Sequence, residues 1–217
     1  MNPIYYFFWR PMRLFYYVYF RWQAFNGDRV PHTGGVIVAS NHASFIDPLL
    51  VGSGVSRELC YLARESLFHF PGMGWLLRKL NSVPVDRDGG GGTGLKRILE
   101  QLLLGHGIVL FPEGTRTLDG RLQPARSGIG LTVIKSQAPV VPVRVFGSFE
   151  AYGKRHLFPR PSKIVVKYGR PMSFAALRAE AKTCSKPRLK QIYQQVADEI
   201  MTEIARLEPC LDKDEFP

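Results

Sequence analysis

The chain has 217 residues, enough for one domain with a substantial core, and its hydrophobic content of 45% is that of a globular protein rather than a disordered one. A formal charge of +11, from 29 Lys and Arg against 18 Asp and Glu, describes a surface that attracts phosphates, whether in nucleic acid, anionic lipid or an acidic carrier. Cys60, Cys184 and Cys210 have no pairwise metal spacing, which argues against a zinc site or a disulfide framework and for reduced thiols in a cytoplasmic setting.

The first composition shift is at the N-terminus. Residues 5 to 22 hold eleven aromatics, and no acidic residue occurs before Asp28. A membrane-spanning helix needs about 20 largely apolar residues, whereas Arg10, Pro11, Arg13 and Arg21 leave no uncharged run of that length. A helix from Pro11 to Asn26 would be about 22 Å long, too short to cross a bilayer upright, while Trp, Tyr and Arg favour the headgroup boundary. Residues 1–26 are therefore expected to form an interfacial helical segment, with Phe7, Phe8, Trp9, Phe15, Tyr16, Phe20 and Trp22 at the membrane surface. The competing arrangement packs this segment on the domain's own core, where one helix face would have to bury an unusual number of large rings. A secretory signal is not expected, because a basic leader and a small-residue cleavage site are both missing.

The main domain is placed at residues 27–207, with a frayed tail at 208–217. Gly35 to Ala39 is a short continuous apolar run, the mark of a strand buried on both faces of a parallel sheet. It empties into Asn41, His42, Ala43, Ser44, Phe45, Ile46 and Asp47, and Pro48 then suits the first turn of a helix that Asp47, itself extended, would cap. On a helix, residues five apart lie roughly 140° apart and cannot meet. In a loop His42 and Asp47 can pair. The carboxylate would then fix the imidazole tautomer and leave the second ring nitrogen as a base toward a hydroxyl. Alone, the pair reads first as a helix cap and a histidine that satisfies loop backbone; a second polar cluster after another buried strand reverses that order.

Glu58 to Ala63 is read as the next strand, Phe68 to Leu80 as a helix interrupted at Pro71, Gly72 and Gly74, and Asn81 to Val85 as a strand leading to Asp86, Arg87 and Asp88. The glycines at 89–92 and 94 do not make a nucleotide loop, because Leu95 separates Gly94 from Lys96; they read as a flexible connection. Leu95, Ile98, Leu99, Leu102 and Leu103 give the following helix, Thr93 to Leu104, one apolar face. Ile108 to Phe111 is another buried strand, leading directly into Pro112, Glu113, Gly114, Thr115, Arg116 and Thr117. Strand, helix, strand implies a parallel crossover and an α/β sheet, and open sheets of this class bind ligands beyond the carboxyl ends of their strands. Three such ends now carry polar residues: His42 with Asp47, Arg87, and Glu113 with Arg116.

Ile129 to Lys135 reads as helix, and Val140 to Phe146 and Ile164 to Tyr168 as strands, with Pro142 favouring an edge or bulged position. Leu189, Ile192, Tyr193, Val196, Ile200 and Ile204 form the apolar stripe of a C-terminal helix docked on the core. The fold class is α/β: a single domain with a mixed, largely parallel sheet flanked by helices, plus the N-terminal aromatic segment.

Taken together, the His42-to-Asp47 motif and Phe111-Pro112-Glu113-Gly114-Thr115-Arg116 resemble the 1-acyl-sn-glycerol-3-phosphate acyltransferase family, and the resemblance covers roughly residues 30 to 170. Arg87 in Val-Pro-Val-Asp-Arg and the block Val141-Pro142-Val143 match weaker motifs, while Thr117 stands where many members have Ser and Pro84 interrupts the second motif. The resemblance implies that His42 is the general base on the free hydroxyl of a lysophospholipid and Asp47 its orienting partner. It further implies that Arg87, Glu113, Gly114, Thr115 and Arg116 bind the acceptor. The product would be phosphatidic acid, and the acyl donor a thioester of coenzyme A or acyl carrier protein. No metal or other cofactor is implied, since a thioester is already activated. Ser44 and the cysteines need not act as nucleophiles. Asn41 or loop amides are candidates for stabilising the oxyanion. The expected setting is the cytoplasmic face of the cell membrane, with membrane phospholipid, the lysophospholipid and acyl carrier protein as partners. Glycerol 3-phosphate and lyso-aminolipids are alternative acceptors, and a non-catalytic basic membrane module is a competing class. Nucleic acid is not expected, because the aromatics are gathered in one apolar segment rather than spaced as stacking platforms.

Overall fold

The computed structural model describes residues 3–85 and 92–212; Arg87 and the rest of the segment 86–91 lie outside the described residues, as do the side chains of residues 3–6 and Phe8. In chain order the elements are α1 (Pro3–Tyr19), β1 (Gln23–Phe25), β2 (Val36–Ser40), α2 (Asp47–Ser53), β3 (Leu59–Arg64), α3 (Met73–Lys79), β4 (Ser82–Val85) and α4 (Gly92–Leu103). They continue with β5 (Gly107–Leu110), α5 (Ser127–Lys135), β6 (Val140–Phe146), α6 (Ser148–Tyr152), β7 (Val165–Tyr168), α7 (Ala175–Glu180) and α8 (Lys186–Arg206).

The strands form one seven-stranded sheet in the order β1-β7-β6-β2-β5-β3-β4. All neighbours are parallel except β6 and β7, so the expected mixed, largely parallel sheet is what forms. Helices cover both faces, and the central strands alternate between two cores. Val36 and Val38 face the side with Trp9, Tyr16, Phe20, Leu50 and Val51, and Ile37 and Ala39 face Ile129, Val133, Ile192, Val196 and Ile200. That two-sided burial explains the unbroken apolar runs. On the second face α5 and α8 approach closely at Gly130, where any Cβ would lie 1.8 Å from the Tyr193 carbonyl oxygen.

Several expectations change. The N-terminal helix runs from Pro3 through Pro11 and ends at Tyr19, so it starts eight residues before, and ends seven residues before, the expected Pro11–Asn26 helix. Its end is closed by the Tyr16 carbonyl, which accepts from the amides of Phe20 and Trp22 at 3.0 and 3.2 Å, and Arg21 takes a left-handed conformation at φ 46°. The chain then enters β1, an edge strand with no sequence signal at three residues. Trp9, Tyr16 and Phe20 are buried in the core, and Trp22 packs half-buried against it, so these four do not lie on the outer face assigned to them. Phe7 and Phe15 do remain exposed, together with Leu14, Tyr17 and Val18. The inner face of α1, with Trp22 and Ala24 after it, thus packs on the core of the sheet. The helix expected at Phe68–Leu80 is split into a 3₁₀ turn at Glu65–His69 and α3, separated by Pro71 and Gly72.

Pro142 sits in β6 between β2 and β7, not at an edge. Its carbonyl accepts from the Gly169 amide at 2.7 Å, one residue past the end of β7, so the missing N–H falls where the antiparallel ladder has already stopped. Nor is the whole tail frayed. Asp212 pairs with Arg29 and, at 2.9 Å, with the buried Lys167 ammonium, while residues 213–217 are outside the described residues.

Candidate active site

The carboxyl ends of β2 and β5, adjacent parallel strands, place the two sequence motifs side by side. Beyond β2, His42 Nδ1 lies 3.0 Å from Asp47 Oδ2, with the carboxylate fully buried and the imidazole largely so. The same oxygen accepts the amides of Ala43 and Ser44 at 2.6 Å each. Asp47 is therefore not the extended cap expected from Pro48. It begins α2, and its carboxylate turns back to gather the loop that carries His42. Among the described residues its Oδ1 has no hydrogen-bond partner. With Nδ1 donating to Asp47, Nε2 is the basic nitrogen. Phe111 holds the ring from one face, with centroids 3.9 Å apart and planes 18° from parallel.

The second motif grips the histidine's backbone. The His42 amide donates to Glu113 Oε1 at 2.8 Å, and the Thr117 amide donates to the His42 carbonyl at 2.9 Å. Glu113 Oε2 accepts the Gln123 amide at 3.1 Å. Glu113 is buried, and with each oxygen accepting a backbone amide it positions the histidine loop. Burial raises its pKa from 4.5 to about 7; the two amides pull it down and the nearby Asp47 charge pushes it up. Asn41 is committed too: its side-chain amide donates to the Val145 carbonyl at 3.1 Å and accepts the Val145 amide at 2.8 Å, clamping β2 to β6. Ser44 donates to the Tyr152 carbonyl at 2.7 Å, a bond outside its own loop.

Two cavities meet at His42. The larger, about 340 Å³, runs past Pro48, Tyr61, Leu62, Val85, Ile98, Leu110, Phe111 and Ile129, a largely apolar lining with Gly114 and Arg126 in its wall. The smaller, about 160 Å³, is lined by Phe45, Pro48, Thr115 and Arg116. The Arg116 guanidinium stands 3.4 Å over the Phe45 ring, a cation–π contact that orients a planar cation. His42, Asp47, Gly114, Thr115 and Arg116 are thus brought together as expected, with Glu113 behind them.

Arg126 is a site residue that the sequence reading missed. It directly precedes α5, and among the described residues its guanidinium makes no hydrogen bond or ion pair. Its Cδ occupies the space beside Gly114, where a Cβ would come within 2.8 Å; Gly114 also holds φ at +71°, so side chains are disfavoured there twice over. A lone arginine before a small-residue pair carries no specific sequence signal. Only the fold brings it beside Gly114.

The family model for Acyltransferase matches residues 23–146. A 1-acyl-sn-glycerol-3-phosphate acyltransferase of Bacillus subtilis is 29% identical over 126 residues, covering 58% of this chain and 62% of that protein. A chloroplastic 1-acyl-sn-glycerol-3-phosphate acyltransferase of Brassica napus is 32% identical over 135 residues, covering 61% of this chain and 37% of the other. The chain thus spans less than two thirds of either relative. The crystal structure of a 1-acyl-sn-glycerophosphate acyltransferase from Thermotoga maritima superposes with a TM-score of 0.65 at 22% identity, covering 94% of this chain and 83% of that one, which establishes a shared fold.

Proposed function

This chain belongs to the acyltransferase family, and from that premise we propose that it transfers a fatty acyl group from an acyl thioester to the free hydroxyl of 1-acyl-sn-glycerol 3-phosphate, giving phosphatidic acid. The observation that carries this reading is His42 paired with Asp47 at the meeting of an apolar cavity and a cationic one. His42 Nε2 takes the proton of the hydroxyl as its oxygen attacks the thioester carbonyl. The tetrahedral intermediate then collapses, the carbon–sulfur bond breaks, and the departing thiolate takes the proton held by the imidazolium. Asp47 keeps the ring oriented and balances its charge in that state.

The apolar cavity suits an acyl chain, and its volume falls in the range of small-ligand sites. Arg116 with Thr115 receives the acceptor phosphate, and Arg126 adds a second cation at the other cavity. Direct transfer is favoured over an acyl-enzyme. Cys60 is buried with its thiol pushed up to about 11, and the Ser44 hydroxyl is engaged with Tyr152. The donor thioester, of coenzyme A or acyl carrier protein, supplies the activation, so the chemistry calls for no further cofactor.

No described helix is long and apolar enough to cross a membrane. Attachment is proposed instead through the outer face of α1, where Phe7, Leu14, Phe15, Tyr17 and Val18 are exposed beside Arg10, on the cytoplasmic face of the membrane. The test is to offer the protein lysophosphatidate or glycerol 3-phosphate separately with one long-chain acyl thioester and follow thiol release. Phosphatidic acid from the first and no product from the second is the expected result. The reverse would assign the glycerol 3-phosphate reaction, and no thiol release from either would remove the activity.

A further inference from the structure

The segment from Gly153 to Lys163, between α6 and β7, has no part in the chemistry described above. It reads Gly-Lys-Arg-His-Leu-Phe-Pro-Arg-Pro-Ser-Lys, and Glu150 is the sole acidic residue in the sequence between Asp119 and Glu180. Leu157 and Phe158 are 86% and 78% exposed, adjacent large apolar side chains with Lys154, Arg155, Arg160 and Lys163 exposed around them.

The fold puts this segment on the reacting edge of the sheet. β6 runs parallel to β2, so the chain leaves β6 on the same side as His42, and β7 carries it back. The segment is also anchored. The Arg160 amide donates to the Ala151 carbonyl at 2.8 Å, and the His156 amide donates to the Gly153 carbonyl at 3.0 Å. At its base Ser44, two residues from His42, donates to the Tyr152 carbonyl and bridges to Gly153, and the Phe45 and Tyr152 rings lie 5.4 Å apart. At its far side the Tyr19 hydroxyl of α1 donates to the Pro159 carbonyl at 3.0 Å. The loop therefore joins the catalytic loop to the helix whose outer face is apolar.

We propose that the loop Gly153–Lys163 is a second membrane contact, with Leu157 and Phe158 entering an anionic bilayer and Lys154, Arg155, Arg160 and Lys163 lying among its headgroups. Exposed apolar tips flanked by cations, in a stretch of sequence whose sole acidic residue is Glu150, match a negatively charged lipid surface in both polarity and charge. An acidic carrier protein would satisfy the cations but leave the apolar tips without purpose. The loop's use, holding the His42 centre at headgroup depth, rests on the proposed lipid acceptor; its lipid binding rests on the loop alone.

The experiment is flotation of the full chain with phosphatidylcholine vesicles, with and without phosphatidylglycerol, alongside turnover of a short-chain, water-soluble lysophosphatidate. The double substitution Leu157→Asp with Phe158→Asp should weaken binding to the anionic vesicles by about tenfold or more, since both buried side chains are lost. Lys154→Glu with Arg155→Glu should weaken it only where phosphatidylglycerol is present. Short-chain turnover should persist in both, which also reports an intact fold; the milder pair Leu157→Ser with Phe158→Ser serves if the aspartates disturb it. Unchanged flotation of the apolar variants overturns the proposal. So does normal flotation combined with a raised KM for acyl carrier protein in the charge-reversed variant, which would make the loop a carrier site. If the wild type acylates no lysophosphatidate but the flotation difference persists, the reaction fails and the membrane contact stands.

Discussion

Glu113 holds His42 by its backbone: across 71 residues of sequence, the His42 amide donates to Glu113 Oε1 at 2.8 Å while the carboxylate's other oxygen takes the Gln123 amide. The carboxylate thus fixes the loop that carries the base without touching the imidazole. Replacing Glu113 with Ala leaves two amides without their acceptor, at about 1–3 kcal/mol each, and should lower both stability and turnover. Glu113→Gln should be intermediate, because its NH₂ group faces an amide donor. Denaturant unfolding with thiol-release assays on the same preparations would check this; full activity in Glu113→Ala would remove its positioning role.

The same carboxyl gives a pH signature. Its folded pKa is raised from 4.5 to about 7 by burial, so the folded state holds this proton more tightly than the unfolded chain. Its contribution to stability is full below about 4.5 and is lost as pH rises through about 7, with a slope of at most about 1.4 kcal/mol per pH unit for one proton. Unfolding free energies measured across that window should fall with pH more steeply in the wild type than in Glu113→Gln. Parallel curves would place the titration elsewhere.

His42→Ala should fold normally and lose about 10² to 10⁴ in rate, roughly 3 to 5 kcal/mol. The ring is seated by Phe111 and Asp47, so circular dichroism and the unfolding midpoint should change little beside the kinetic loss. Near-normal thiol release from a folded variant would rule out the general-base mechanism.

Arg116 combines a charge for phosphate with a flat face on Phe45. Arg116→Ala should raise the acceptor KM and lower kcat, together about 1.5–3 kcal/mol in kcat/KM, because a charged hydrogen bond is lost from ground and transition states alike. Arg116→Lys should recover only part, as an ammonium neither forks onto phosphate nor lies flat on a ring. An unchanged acceptor KM in both variants would exclude the phosphate role.

The two faces of α1 should separate cleanly. Trp9→Ala opens a void beside Tyr61 and should destabilise the domain by about 3–5 kcal/mol. Phe7→Ser with Tyr17→Ser and Val18→Ser should leave the unfolding midpoint nearly unchanged and weaken vesicle flotation. Deleting residues 1–26 removes Trp9, Tyr16, Phe20 and β1 together, so it should unfold the protein rather than merely detach it. A folded, monomeric truncation would show that α1 contributes little to the core.

The buried strands were legible in sequence because a parallel strand covered on both faces is an uninterrupted apolar run. Val140–Phe146 appears at the same boundaries in the structure, and Val36–Ser40 and Gly107–Leu110 lie within one residue of the runs that indicate them. The His42–Asp47 pair was legible for a local reason, since a loop of five residues ended by Pro48 allows the two to meet. Arg87 lies outside the described residues. Other decisions belong to tertiary structure. Aromatic residues on every side of α1 leave no period to show which face is buried; contact with Tyr61 and the sheet selects Trp9, Tyr16 and Phe20 for the core. β1 forms because β7 offers it an edge, not because three residues prefer to be extended. Glu113 takes the His42 amide only when β2 and β5, distant in sequence, lie side by side, and Arg126 comes beside Gly114 when the connection from β5 to α5 folds back on itself, with the Arg126 amide on the Pro112 carbonyl. Local sequence determines what a segment can bury, while the partner that covers it is set by the packing of the whole chain.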